Sequence, residues 1–532
     1  MYPLKSSEVL LTSAKGEKQA AQDNISFLMG SAQGDVIRVT PSLLKQTMVG
    51  IGTSFTEASA FVLSHIHPEK RHALMEKIWG ESGANFSVAR TPMGATDFSV
   101  EGKYSYAEVA GDVGLEHFSI EHDHNGFSAS VYPEIKDEAF DLLPMIQEAL
   151  AIKSKQNDRD LHILASAWTA PPWMKDIQDW YVQGREENDF HGTGGWLLEE
   201  HLSTYALYIK KYLEAYRQQG VNIWAVTPVN EPHGNNGRWE SMHFTAQSQR
   251  DWIKNHLGPT LKQGENKEVK IFIFDHNRDA LETWTDTIYG DTECAQYVEG
   301  AAVHWYESTF KVYEGVFDMV HEKYPDFGII HSEGCIDDLG NDAPEGATDP
   351  VRFKESGWFK NDDFWWNDNA TDWAYSTTWQ GVKTEDHPIY TPVHRYARNI
   401  IVSINHWVSA WIDWNIVLDK RGGPNHVGNY CGAPIMIDTE NADIYYTPIF
   451  EVLYQFSRSI RPGDKAVQTD TDFTTLKHDE IFACATLSSK NLLSVQIFNT
   501  LEKPVSYSLE IRDQFAEICI AANALQTIRI PL

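Results

Sequence analysis

Two glutamates carry the strongest chemical signal in the sequence. Glu231, in TPVNEP (227–232), and Glu333, in HSEG (331–334), each close a short apolar run. A carboxylate ending a buried strand is costly unless it is paired or put to use. Two that face one space can act together on one bond. In glycosidic hydrolysis one carboxyl protonates the leaving oxygen while the other attacks carbon or activates water. Retention of configuration needs a separation of about 5–5.5 Å and inversion about 6.5–9.5 Å, a distance the sequence leaves open. Other chemistries lack their motifs: there is no GxSxG elbow, no HExxH and no GxxxxGK[ST] loop. The closest histidine pairs, His65/His67 and His122/His124, fall in predicted polar loops without a carboxylate or cysteine at ligand spacing.

The elements that position such residues follow from hydrophobic runs. Eight of them read as buried parallel strands: 48–52, 86–93, 162–168, 223–231, 270–277, 301–306, 327–333 and 408–415. Helical periodicity fills the gaps. Leu198, Leu202, Tyr205, Ile209, Tyr212 and Tyr216 share one face, with Gly220 set to end that helix. Thr245 is the expected N-cap of the next helix, without a full capping box because Ser248 replaces Glu or Gln, and Gly258–Pro259 is expected to close it. Strand and helix alternating eight times predicts an α/β fold, a (β/α)8 TIM barrel. A doubly wound sheet would need a phosphate-binding turn, and GIGTSF (50–55) lacks the third glycine.

Residues beyond about 465 alternate like antiparallel strands, at 492–499, 505–512, 517–523 and 527–532, and the first 45 contain a similar pair. The expected organisation is N-terminal sandwich strands in 1–45, a catalytic barrel in 46–455 and the rest of a β-sandwich in 456–532. In such a barrel the working side chains stand where strands end. Those positions hold Arg90, Asp97, Trp168, Asn230 and Glu231, then His304, Trp305, Tyr306 and Glu333. Strand eight adds Trp411, Asp413, Trp414 and Asn415, followed by GGPN (422–425) with Asn425. A barrel ion pair for Arg90, and plain core packing for the tryptophans, are the alternative roles.

Composition narrows the partners. With 44 basic against 75 acidic residues the formal charge is −31, which repels phosphate backbones and anionic membranes. Nucleic acid is therefore not expected, and a neutral substrate is electrostatically easier. The 18 Trp and 22 Tyr supply flat amphipathic platforms on which sugars stack. Five widely spaced cysteines predict free thiols rather than a zinc ribbon or a disulfide framework. No signal peptide or 18-residue apolar run stands out, so the expectation is a cytoplasmic chain, or one from which a signal has been removed.

At these positions the sequence resembles glycoside hydrolase family 30, most closely its glucosylceramidase (acid β-glucosidase) branch. The matching stretches include KQTMVGIGTSFTEASA (45–60), RTPMGATDFS (90–99), ASAWTAPPWMK (165–175), IWAVTPVNEP (223–232), AVHWY (302–306), HSEGC (331–335) and WIDWNIVLDKRGGPN (411–425). The resemblance implies retention, with Glu231 as acid/base and Glu333 as nucleophile. It sets Asn230 at the sugar 2-hydroxyl and Arg90 against Asn230 or the nucleophile. Asp97, Trp168 and Trp414 are expected on the outer hydroxyls, Asn425 in the pocket lining and Tyr306 on the nucleophile. His304 is counted with the substrate-binding residues. No metal and no cofactor is implied. For the chemistry, Glu333 is expected ionised beside Arg90 or Tyr306, and Glu231 protonated beside that charge.

The leading expectation is an exo-β-glucosidase of the glucosylceramidase type, acting on glucosylceramide or an oligosaccharide. An endo-β-1,6-glucanase or β-xylosidase of the same family is the alternative, and a non-catalytic carbohydrate binder a more distant one. The Trp-rich stretch 353–388 is longer than its counterpart in animal lysosomal enzymes and is a candidate lid or aglycone platform.

Overall fold

Short runs of small and β-branched residues close into a parallel barrel. Its strands are β1 (Gly50–Ser54), β2 (Val88–Met93), β3 (His162–Ala167), β4 (Ala225–Thr227), β5 (Lys270–Asn277), β6 (Gly300–His304), β7 (Gly328–Glu333) and β8 (Val408–Ile412). β8 pairs with β1, so the sheet has no edge. The structure is a computed structural model describing residues 3–157, 160–182, 193–233, 237–336 and 390–532. The Trp-rich stretch 353–388 lies outside the described residues. Between β1 and β2 the backbones approach so closely that a Cβ on Gly52 would sit 1.6 Å from the Val88 carbonyl oxygen, which only glycine tolerates.

Strand alternation sorts the side chains into layers. Val88, Leu164, Ala225, Phe272, Ala302, Ile330, Ala410 and Ile412 form an apolar plug inside the barrel. Two residues further along their strands stand Arg90, Ser166, Thr227, His304, Ser332 and Trp414. A polar layer therefore sits directly on the apolar one, at the C-terminal mouth. Two strands break the alternation. Ala302 pairs with Phe274 but Val303 with His276, leaving Asp275 as an extra residue in β5. Val303 pairs with His331 but His304 with Glu333, leaving Ser332 extra in β7. These are bulges, which re-aim side chains. Phe274 and Asp275 have φ of 73° and 64°, and the buried Gln249 side chain satisfies the Phe274 N–H at 3.0 Å.

The termini build one hydrogen-bonded sheet of ten strands, running from Ala20–Ala21 and Glu8–Ser13 through Ala524–Pro531, Leu492–Asn499, Ile481–Leu487, Lys465–Asp472, Val36–Thr47, Val505–Ile511 and Gln514–Ile520 to Leu28–Met29. The Tyr507 hydroxyl donates to Gln526 at 2.8 Å, although their strands are five places apart in that order. The sheet thus folds over itself around a core that includes Val9, Ile37, Val495, Leu509 and Ile528. This is the sandwich expected from both termini, with strands at Glu8–Ser13 and Ile481–Leu487 that the alternation had not revealed. Gln455, on the helix Pro448–Ser459, ties it to the barrel through Thr12 and the Leu525 carbonyl.

Helix ends depart from expectation in two places. Thr245 and Ser248 do form a reciprocal capping box, because a serine hydroxyl reaches the N-cap N–H as a glutamate would. That helix then passes through a π turn, Ile253–Leu257, into Gly258–Leu261 instead of stopping at Gly258–Pro259. The wider turn shifts the hydrogen-bond register where proline has no N–H to give. Leu202–Gln218 ends just before Gly220, whose φ is 82°, as its sequence predicts. His65, expected in a solvated loop, is buried, with Nδ1 2.8 Å from the Phe61 carbonyl. Among the described residues no helix is long and apolar enough to cross a membrane.

The long segment after β2 carries a buried carboxyl, Asp123, which accepts from the Tyr106 and Tyr216 hydroxyls at 2.7 and 2.5 Å. Burial pushes it up to about 7, against those two donors. The unfolded value is about 3.9, so between about 4 and 7 the folded chain holds a proton that the unfolded chain releases. The stabilising contribution is full below about 4 and is lost as pH rises through about 7. An Asp123→Asn variant, neutral throughout, is expected to show a smaller drop in melting temperature between pH 5 and pH 8 than wild type, as measured by thermal denaturation.

Candidate active site

Arg90, on β2, is entirely buried at the centre of the mouth. Its guanidinium donates to Glu333, to Asp275 at 2.7 Å and to Asn230 at 2.8 Å. Asp275, re-aimed by its bulge, is the second hub. It accepts from Arg90, from the Ser332 hydroxyl at 2.6 Å and from the Thr227 hydroxyl at 2.8 Å, and it lies 2.9 Å from His304 Nε2. His304 Nδ1 lies 3.0 Å from Glu231, and the Tyr306 hydroxyl donates to Glu333 at 3.0 Å. Both glutamates therefore hang from one network rooted in β2, β5 and β6.

Glu231 stands in a left-handed conformation, φ 45°, immediately before Pro232, and its N–H donates to the Asp275 carbonyl at 3.0 Å. A residue before proline favours extended backbone, so this conformation costs roughly 1–3 kcal/mol. The strain aims the carboxyl across the mouth.

Burial shapes the charges. It would raise Asp275, but the Arg90 charge and the His304 imidazole hold it far below the usual carboxylate range. Burial also opposes charge on His304, yet the Glu333 and Asp275 charges and its two carboxylate contacts lift it to about 10. Glu333 is raised by burial, with Glu231 and Asp275 adding to the rise and His304 and Arg90 opposing it. Burial works the same way on Glu231, but the hydrogen bond from His304 and the His276, His304 and Arg90 charges bring it below its ordinary value. Both directions run opposite to the expected division, in which Glu333 is held charged and Glu231 is raised. The physical reason is His304, which lies between Asp275 and Glu231 and whose contact at 3.0 Å favours the charged form of Glu231.

Above this network lies a pocket of about 150 Å³ lined by Asp97, Trp168, Asn230, Glu231, Tyr306, Glu333 and Trp414, among others. Trp168 and Trp414 stack at 5.2 Å and 21°, and the Arg90 guanidinium sits 4.8 Å from the Trp168 ring. Asp97 accepts from the amides of Asn425 and Asn429 at 3.1 and 3.0 Å, and burial pushes it up to about 7. Asn425 stands behind Asp97, while Asn429 is among the lining residues. A larger cleft of about 830 Å³ opens where the strands begin, beside Lys270 and Gly328. That end of the fold serves stability, so the chemistry belongs to the smaller pocket.

The structure thus gathers Arg90, Asp97, Trp168, Asn230, Glu231, His304, Tyr306, Glu333, Trp414 and Asn425 around one mouth. Four other strand-end residues turn away from it. Trp411 stacks on His331 at 4.6 Å and Trp305 packs 5.0 Å from Tyr396, behind the barrel wall. Asp413 accepts from the Tyr396 hydroxyl at 2.6 Å, and Asn415 from Thr56 at 2.8 Å. Sequence reasoning missed Asp275, Ser332, His276 and Asn429. Asp275 did carry a signal: an acid within the apolar run KIFIFDHN (270–277) invites the burial argument that singles out Glu231.

Two carboxyls facing one pocket suit protonation of a glycosidic oxygen and attack at the adjoining sugar carbon, the work of a glycoside hydrolase. The sequence agrees: the model of the glycosyl hydrolase family 30 TIM-barrel domain matches residues 48–345 and 376–460, and the chain belongs to this family. It is 27% identical over 437 residues to the lysosomal acid glucosylceramidase of Mus musculus, covering 82% of this chain and 72% of that protein. Among solved structures it is similar in fold to SrfJ from Salmonella typhimurium, with a TM-score of 0.76 at 21% identity over 99% of both chains. An endo-β1,6-glucanase is also similar, with a TM-score of 0.71 at 22% identity over 98% of both.

Replacing Asp275 by Asn removes the one charge between Arg90 and His304. Removing one partner from a buried charge network costs up to about 3–5 kcal/mol, although Glu333 still compensates Arg90 and Glu231 still faces His304. Asp275→Asn is therefore expected to lose stability of that order in denaturant titration. The His304 imidazole, relieved of one neighbouring anion, is expected to titrate lower by NMR. A neutral effect on both would remove Asp275 as the hub.

Proposed function

We propose that the chain is a retaining exo-β-glucosidase that removes a terminal β-linked glucose, with Glu333 as nucleophile and Glu231 as acid/base. The observation that carries this reading is that both glutamates open on one small pocket walled by Trp168 and Trp414 and backed by Asp97. Its volume of about 150 Å³ is below the range of about 300–1,000 Å³ usual for drug-sized ligands, which suits one sugar ring rather than a chain.

In the proposed cycle Glu333, steadied by Arg90 and Tyr306, attacks the anomeric carbon while Glu231 protonates the departing oxygen. Substrate expels water from around Glu231, which disfavours its charged form, and His304 holds a proton across their hydrogen bond. Once the glycosyl-enzyme has formed, the Glu333 charge is gone. Glu231, now a base, activates the water that releases glucose. Asn230, fixed by Arg90, is assigned to the 2-hydroxyl, and Asp97 with the two tryptophans to the outer hydroxyls. The name of the mouse relative makes glucosylceramide the first lipid substrate to try. The fold likeness to an endo-β1,6-glucanase keeps β-1,6-glucan as the second reading.

Glu333→Gln is expected to abolish hydrolysis of a fluorescent β-glucoside while the melting temperature and circular dichroism stay near wild type, because an amide cannot attack. Glu231→Gln is expected to slow glucosides with poor leaving groups by about 10²–10⁴-fold and activated aryl glucosides less. Ordinary turnover by folded Glu333→Gln removes it as nucleophile. Rapid cleavage of β-1,6-glucan with little aryl-glucosidase activity favours the endo reading.

A further inference from the structure

Beside the carboxylates the same pocket holds a pair of thiols. Cys335 and Cys431 both line it, and neither is in a disulfide. Their sulfurs are 3.0 Å apart. Cys335 follows Glu333 by two residues, whereas Cys431 comes from the segment after β8, 96 residues later. Both are held in place from their backbones. The Trp305 indole donates to the Cys335 carbonyl at 3.0 Å, and the Cys431 N–H donates to the Gly422 carbonyl at 3.0 Å. The next residues are joined as well, by the Gly432 N–H to the Ile336 carbonyl at 2.9 Å. The Cys335 sulfur also lies 3.5 Å from the Tyr306 hydroxyl, the group that donates to Glu333.

Packing of small apolar side chains accounts for buried cysteines in general. It does not account for two buried sulfurs from distant segments meeting in the lining of the substrate pocket. We propose that Cys335 and Cys431 form an oxidation site that closes to a disulfide and reversibly slows the hydrolase. The oxidant is a small neutral peroxide. One sulfur attacks the O–O bond of hydrogen peroxide, gaining an oxygen as sulfenic acid and releasing water. The second sulfur then attacks the first, forming the S–S bond and expelling a second water. Two thiols and one peroxide become one disulfide and two waters, each sulfur losing one electron and the peroxide gaining two. A disulfide sulfur pair is about 2.05 Å apart, so each side chain shifts by only part of an ångström. That shift draws Cys335 from Tyr306 and disturbs the hydrogen bond steadying Glu333.

The cross-link itself is independent of the function proposed above, while its effect on rate rests on that reading. The full chain is reduced, freed of reductant and treated with graded hydrogen peroxide. It is then digested without reduction for peptide mass spectrometry, in parallel with fluorescent β-glucoside hydrolysis. A Cys335–Cys431 linked peptide is expected, rising as hydrolysis falls by about 10–100-fold, the loss that a misplacement near 1 Å can cause. Dithiothreitol should return both. Cys431→Ser and, separately, Cys335→Ala should each eliminate that peptide, every variant being compared with its own reduced form. Absence of the peptide in oxidised wild type, or disulfides only through the exposed Cys519, overturns the site. The peptide without a change in rate overturns the control of activity. If reduced protein hydrolyses no glucoside, the function reading fails while the peptide still decides the oxidation site.

Discussion

A guanidinium with none of its surface exposed persists only where its charge is matched, and Arg90 is matched twice, by Asp275 and Glu333. Everything at the mouth is arranged by that requirement. Asp275 serves Arg90 on one oxygen and His304 and Ser332 on the other, so it couples β2 to β5, β6 and β7. Asn230 and Glu333 are oriented because they complete the guanidinium's hydrogen bonds. In a low-dielectric interior such a network is stiff when every member is satisfied, and costly when one is removed. The two glutamates therefore inherit their positions from a charge balance rather than from their own strands.

That balance needs geometry a regular barrel does not supply. Period-two alternation alone brings Arg90, Ser166, Thr227 and His304 to one level. Ser332 reaches it by the same alternation from Ile330, whereas Asp275 reaches it only through the bulge in β5 and Glu333 through the bulge in β7. Glu231 completes the set from a left-handed backbone before Pro232. These local irregularities sit together because each spends conformational stability on aim, and the apolar plug and folded-over terminal sheet supply enough burial to carry them. Function here is concentrated where regular structure is broken.

Electrostatics adds a feature that neither glutamate has alone. His304, between Asp275 and Glu231, is lifted to about 10 against its burial by the neighbouring carboxylates, and it links the acid/base candidate to the Arg90 network. The charge on each of the two carboxyls thus depends on a third and fourth ionisable group. Near the same place the Cys335–Cys431 pair shares Tyr306 with Glu333, so the proposed oxidation site and the proposed nucleophile meet on one phenol.

The sequence by itself determined the barrel, the two-ended sheet domain and the residues at the strand ends. Those signals are local: apolar runs mark strands, period two marks their inner face, and an acid closing a run such as IWAVTPVNE (223–231) stands out against its neighbours. Tertiary structure alone decided which ends meet and which way each side chain points. Trp411 and Trp305 look like Trp414 and Trp168 in sequence, yet one residue of register sends them behind the wall. Asp275 stands out as an acid in an apolar run, but its partner Arg90 is 185 residues away and the bulge that joins them has no local signature. The meeting of Cys335 with Cys431, and the upward shift of His304 between its carboxylates, were illegible for the same reason. Contacts and charge depend on distances across the barrel, and no window along the chain contains them.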